Sequence, residues 1–221
     1  MSGTRILRPN IFAGSSLSIP GGGAAPDFWS TFTGDDFTGD NDDPLNPVVW
    51  TDQGLSDEWL IQSNKANFNQ PSMMAAQSIS TFKMSEDFSI QLDFDSYTGA
   101  DDAILRLYVF NAGNVDGAFI GVTHLSSAPQ IVGNFKTASS WDSATQVAIS
   151  SNNGRFRIRR VSSQWYLEYQ DGAGGWTSLV DKTQNTDLLS VWLYAESGLG
   201  ENQSGNVDNF LINSGTVVPP A

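Results

Sequence analysis

From Phe88 to Asp95 the chain alternates strictly, with Phe88, Ile90, Leu92 and Phe94 apolar and Ser89, Gln91, Asp93 and Asp95 polar. Successive strand side chains point to opposite faces, so the pattern predicts a half-buried antiparallel strand with one greasy and one wet face. Similar short runs recur between turn residues. They are Glu58 to Gln62, Met73 to Phe82, Ala103 to Phe110, Gly117 to His124, Gln130 to Lys136, Arg155 to Val161, Gln164 to Gln170, Trp176 to Val180, Leu188 to Glu196 and Val207 to Ile212. No helical period persists beyond two turns. About a dozen short strands with turn signals between them predict an all-β, two-sheet sandwich.

One hairpin can be registered from residue types alone. With Ser162 and Ser163 as its turn, Val161 pairs with Gln164, Arg159 with Tyr166, Arg157 with Glu168 and Arg155 with Gln170. The opposite face then stacks Phe156 on Tyr169 and Ile158 on Leu167. Both faces are chemically sensible in a single register, which fixes it. Arg155, Arg157, Arg159 and Arg160 read as a solvated face paired with acids, the alternative being an anion site.

Composition narrows the partners. Eleven Lys and Arg against 24 Asp and Glu leave a net charge of −13, which repels phosphate backbones and anionic membrane surfaces. With no cysteine the chain makes neither disulfides nor thiolate metal sites, and its single histidine, His124, excludes a multi-histidine centre. The first residues lack the apolar run of a secretion signal, so synthesis in the cytosol is expected. Residues 1–26 carry Pro9, Pro20, Gly21 to Gly23 and Pro26 among scattered apolar positions. They read as an extended arm that docks on another protein, or as a first strand followed by a hinge. The sandwich is expected over 27–213 and a tail over 214–221.

The opening Asp35-Asp36-Phe37-Thr38-Gly39 with Trp50 after it, the strand at Phe88 to Asp95, the hairpin ending in Gly174-Gly175-Trp176 and the late Val207 to Ile212 resemble the concanavalin A-like jelly roll. That sandwich is shared by legume lectins, laminin-G-type modules and laminarinase-type glucanases, and the resemblance implies a flat or concave sheet used for glycans. Leu7-Arg8-Pro9, the glycine-rich arm and the closing Asp208 to Val217 resemble tail-fibre, head-fibre or decoration proteins of tailed bacteriophages. This second resemblance implies a virion protein, assembled with symmetry as a homo-oligomer and joined to other virion proteins through its arm.

The glucanase resemblance also implies a catalytic strand motif, Glu-x-Asp-x-Glu or a one-residue-longer variant. Its aligned positions here are Gln91, Asp93 and Asp95. An amide cannot form the glycosyl ester of a retaining mechanism, so the expectation is a non-enzymatic protein. The alternatives are a free-standing carbohydrate-binding module, or an atypical hydrolase using Asp93 and Asp95, whose backbone positions lie roughly 6.6 Å apart. The expected glycan face combines Asp93, Asp95 and Arg106 with the aromatic faces of Tyr108, Trp192 and Tyr194. The opposite assignment, with those aromatics in the core and Leu105, Leu107 and Val109 outside, is open at this level. Asp40, Asp42 and Asp43 offer closely spaced oxygens, so Ca2+ is a candidate ion with a plain acidic turn as its alternative, and no other cofactor is implied.

Overall fold

The computed structural model describes residues 28–53, 59–70, 75–99, 103–125, 128–185, 187–196 and 203–220. The expected arm, 1–26, lies outside them. One helical turn, α1 (Phe28–Thr31), precedes β1 (Gly34–Asp35), β2 (Trp50–Asp52), β3 (Leu60–Ile61), β4 (Ala66–Gln70) and the long β5 (Ala75–Thr98). Next, β6 (Ile104–Phe110), β7 (Gly117–Leu125) and β8 (Ala128–Thr137) form a meander, and β9 (Ser140–Trp141) and β10 (Thr145–Ala148) fold back on β8. A second meander, β11 (Gly154–Val161), β12 (Gln164–Asp171) and β13 (Thr177–Thr183), leads to β14 (Leu189–Glu196) and β15 (Gln203–Val218).

The strands pair antiparallel in the order β10-β8-β7-β6-β14-β5-β11-β12-β13. Residues 75–84 of β5 pair with β14, whereas residues 88–94 pair with β11. β5 therefore belongs to both layers. Layer one is β13-β12-β11-β5-β15, extended beyond β15 by β1 and β4; layer two is β10-β8-β7-β6-β14-β5. The sequence reading separates Met73 to Phe82 from Phe88 to Asp95, whereas the structure runs Ala75 to Asp95 in one strand. Glu86 takes a left-handed φ of 57°, which turns the strand from one layer into the other. β15 stays alongside across the bend, with Thr216 opposite Ser85 and Val217 opposite Met84. This pairing carries β15 through Ser214 to Val218, into the segment expected as a tail at 214–221.

Between the layers, Phe88, Ile90, Leu92, Phe94, Phe156 and Ile158 face Leu105, Leu107, Val109, Val191 and Leu193, all of them buried. Phe94 stacks on Phe156 with ring centres 4.6 Å apart and planes at 14°. Gly133 of β8 makes room for the opposite layer: a Cβ there would lie 2.6 Å from Leu179 and 3.0 Å from Leu167. Trp29, Phe32, Trp50, Phe82 and Phe210 close one side in edge-on and tilted contacts. Asp35 orders that corner by accepting hydrogen bonds from the Trp50 indole at 2.8 Å and the Phe37 amide at 2.9 Å. The fold is an all-β antiparallel jelly-roll sandwich, as expected.

Candidate functional site

The hairpin β11–β12 has the register read from the sequence, residue for residue, with Ser162 at a φ of 54° supplying its turn. Because β11 also pairs with β5, Arg155 stands opposite Asp93 on layer one's outer face, while Asp208 of β15 stands opposite Asp93 on the other side. Three strands thus place a guanidinium and two carboxylates in one row. Arg155 Nε lies 3.1 Å from Asp93 Oδ1, and the Asn209 side-chain amide donates to Asp93 Oδ2 at 3.3 Å. In the next row Asp95 accepts from the Lys65 ammonium and, at 2.8 Å, from the Asn206 amide.

Asp93, Asp95, Arg155, Asp208 and Asn209 line a cleft of about 480 Å³, with Asn153 and Gln170 along one wall and the Gly172 to Gly174 turn at its rim. Beneath it, Gly154 leaves no room for a side chain on the inner face of β11. A Cβ there would lie 2.3 Å from the Gln170 carbonyl and 3.0 Å from the Phe94 ring. Asp171 anchors the rim by accepting from the Ser150 and Ser151 amides at 2.9 and 3.0 Å.

The carboxylates of the cleft are not equivalent. Burial raises Asp93, outweighing the Arg155 charge and the Asn209 hydrogen bond. Burial also raises Asp208, with the charges of Asp95 and Asp36 adding to it against the Asn209 amide and Lys65. Asp95 goes the other way: burial pushes it up, but hydrogen bonds from Lys65, Asn206 and Ser96 and the Lys65 charge together hold it below the usual value. Two neighbouring acids are thus shifted in opposite directions, Asp93 up by burial and Asp95 down by its hydrogen bonds and the Lys65 charge. Gln91, where the resemblance places a nucleophile, is 9% exposed, and its carbonyl accepts from the Asn213 amide at 3.0 Å.

Further along the same face, Glu168 Oε2 accepts from Arg157 Nε at 2.8 Å and Arg159 Nε at 3.3 Å. Arg157 lies 4.0 Å above the Trp176 ring centre and Arg159 4.0 Å above that of Tyr166. Burial raises the Glu168 pKa, but the two guanidiniums reverse this and leave it below its ordinary value. Its stabilisation is therefore complete above the unfolded glutamate value of about 4.3 and lost as pH falls through the lower folded value. Glu168→Gln is expected to lower stability by about 1 kcal/mol at neutral pH, because these side chains remain partly solvated. Urea melts of the two proteins should converge at acid pH; a gap that persists there would refute the assignment.

Arg160 departs from the expected solvated face. It is 1% exposed and lies inside, with Phe88 and Trp165 beside it. The expected glycan face divides as well. Leu105, Leu107, Val109, Leu189, Val191 and Leu193 are buried between the layers, so Arg106, Tyr108, Trp192 and Tyr194 occupy layer two's outer face. Asp93 and Asp95 lie on the outer face of layer one. The two halves of the expected site are on opposite sides of the sandwich. Asp40, Asp42 and Asp43 form a turn in which the Asp43 amide donates to the Asp40 carbonyl at 3.2 Å and Asp42 accepts from Gln62 at 2.5 Å. Among the described residues no group of three or more His, Cys, Asp or Glu side chains is gathered closely enough to hold a metal ion.

The sequence reading missed Lys65, Asp208 and Asn209. Asp208 was accessible to it, since Val207 is apolar and its neighbour must face outward. Asn209 was not, because its φ of 46° and the shift in pairing between Asp208 and Leu211 break the alternation that carries the signal.

No family model matches the chain, and no curated protein matches it in sequence. Solved structures match its fold. LamA of Zobellia galactanivorans, in a complex with laminaritriose and laminaritetraose, aligns at 8% identity and a TM-score of 0.61, over 82% of this chain and 98% of that one. A legume lectin-like domain from Entamoeba histolytica aligns at 8% identity and 0.55, over 74% and 92%. The Bacillus licheniformis GH43 protein BlXynB aligns at 9% identity and 0.62, over 83% of this chain but 40% of that one. A Bacteroides ovatus GH43 protein is likewise covered over only 38% of its length. The sandwich is thus the concanavalin A-like one found in lectins and glycoside hydrolases. This overturns the expectation of a non-enzyme, because the proteins sharing the fold include glycoside hydrolases and Gln91 alone does not exclude that class.

Proposed function

We propose that the chain binds a saccharide in the cleft on layer one's outer face. The observation that carries this is the row Arg155, Asp93, Asp208 and Asn209, in which donors and acceptors of fixed orientation converge on one depression. Such alternation suits the hydroxyls of a sugar, each of which donates and accepts. The LamA complex makes laminari-oligosaccharides the first ligands to try. The virion setting implied by Leu7-Arg8-Pro9, the glycine-rich arm and the closing Asp208 to Val217 has no counterpart among the matching structures named above and forms no part of this proposal.

Binding should be measured by calorimetry and affinity electrophoresis against a panel of β-glucans and other glycans. Asp208→Ala and Asn209→Gly, the latter keeping the positive φ unstrained, are each expected to weaken binding about tenfold, with the melting temperature held. Unchanged binding in both would reject the cleft. Hydrolysis in the same cleft has one observation in its favour, two carboxylates side by side on β5 whose surroundings shift them apart, Asp93 upward and Asp95 downward. Reducing ends released from a bound glycan, and lost in Asp93→Asn, would establish it; binding without release would leave recognition as the function.

A further inference from the structure

The aromatic set on layer two's outer face has no part in the cleft. Tyr108, Phe110, Phe119 and Val132 form a small cluster there, with Trp192 and Tyr194 packed against it. Trp141, on the short strand β9, lies across this cluster with its ring centre 5.2 Å from that of Phe119 and 5.9 Å from that of Phe110. It is nevertheless 41% exposed. Beside it opens a pocket of about 200 Å³, into whose walls Gln77, Asn114 and Lys136 bring polar groups among the rings.

Trp192 and Lys136 both border this pocket. The Trp192 indole nitrogen is buried and has no hydrogen-bond partner, although buried indole N–H groups usually find one. The Lys136 ammonium lies 5.6 Å from the Trp141 ring centre and 5.7 Å from that of Phe110, and it makes no ion pair among the described residues. A purely apolar partner would leave both amides and the ammonium unsatisfied. A phosphate-rich partner would meet a chain of net charge −13.

We infer that this pocket is a second saccharide site, accepting a single pyranose ring on the face of the sandwich opposite the cleft. The apolar C–H surface of the ring would lie against Trp141 and Trp192. Its hydroxyls would take hydrogen bonds from Lys136, Gln77 and Asn114. The site does not depend on the reading of the cleft, since the two share no residue.

The test is titration of the full chain with a panel of mono- and disaccharides, followed by tryptophan fluorescence and the indole N–H resonances. At least one sugar is expected to shift the Trp192 indole signal. Its affinity should fall about tenfold in Trp141→Ala, whose ring supplies much of the contact, and severalfold in Lys136→Ala. The affinity should not change in Asp208→Ala, which alters only the cleft. If Trp141→Ala fails to fold, Lys136→Ala and Gln77→Ala carry the test, because both change side chains without removing a ring. No shift with any sugar at the highest soluble concentrations would overturn the inference. So would a shift that Asp208→Ala also abolishes, or a concentration-dependent dimer in sedimentation that Trp141→Ala dissolves, which would assign the face to a second copy.

Discussion

Arg160→Ala is expected to destabilise the protein by about 3–5 kcal/mol, far more than the loss of an ordinary surface arginine. Arg160 Nε donates to the Glu86 carbonyl at 2.6 Å, and one terminal nitrogen reaches the Asp187 carbonyl at 2.9 Å. The other also donates to Glu86. These bonds tie the bend of β5, where φ is positive, to the segment entering β14. Removing the guanidinium leaves two carbonyls without their charged donor and opens a gap beside Phe88 and Trp165. Lysine should not rescue the loss, because a single ammonium on a flexible stem cannot present the planar fork that reaches both carbonyls. Urea melts decide it: a loss below about 1 kcal/mol would place Arg160 among the solvated arginines after all.

Phe94→Ala should cost a similar amount, about 3–5 kcal/mol, and should also weaken glycan binding. The ring is 2% exposed, stacks flat on Phe156 and lies beneath Gly154, which lines the cleft. A void there lets the paired strands β5 and β11 sink toward the opposite layer. Asp93 and Arg155 sit on those two strands in facing positions, so their placement in the cleft would change with it. Phe94→Leu, which retains most of the volume, should lose less stability and keep most of the binding. Loss of stability with full affinity in Phe94→Ala would show that the cleft does not depend on the packing below it.

Much of layer one was legible in the sequence. The alternation at Phe88 to Asp95 and the facing pairs of the β11–β12 hairpin are local patterns, and each was confirmed in register. Burial of the aliphatic set around Leu107 and Val191 also followed from alternation once the structure showed which face was inside. Non-local geometry was hidden. Nothing in Arg160 itself distinguishes it from Arg159, and its burial follows from lying beside the bend at Glu86. The separation of Asp93 from Tyr108 and Trp192 depends on which layer each strand joins, which alternation cannot report. Asn209 enters the cleft through a bulge, where the two-residue period fails.

The most direct test is a crystal structure of the protein soaked with the tightest-binding oligosaccharide from the glycan panel. A sugar is expected in the cleft, with its hydroxyls in hydrogen-bonding reach of Asp93, Arg155, Asp208 and Asn209. A saccharide bound nowhere near those four side chains, or Asp93 found turned into the core with Leu92 outside, would contradict the account.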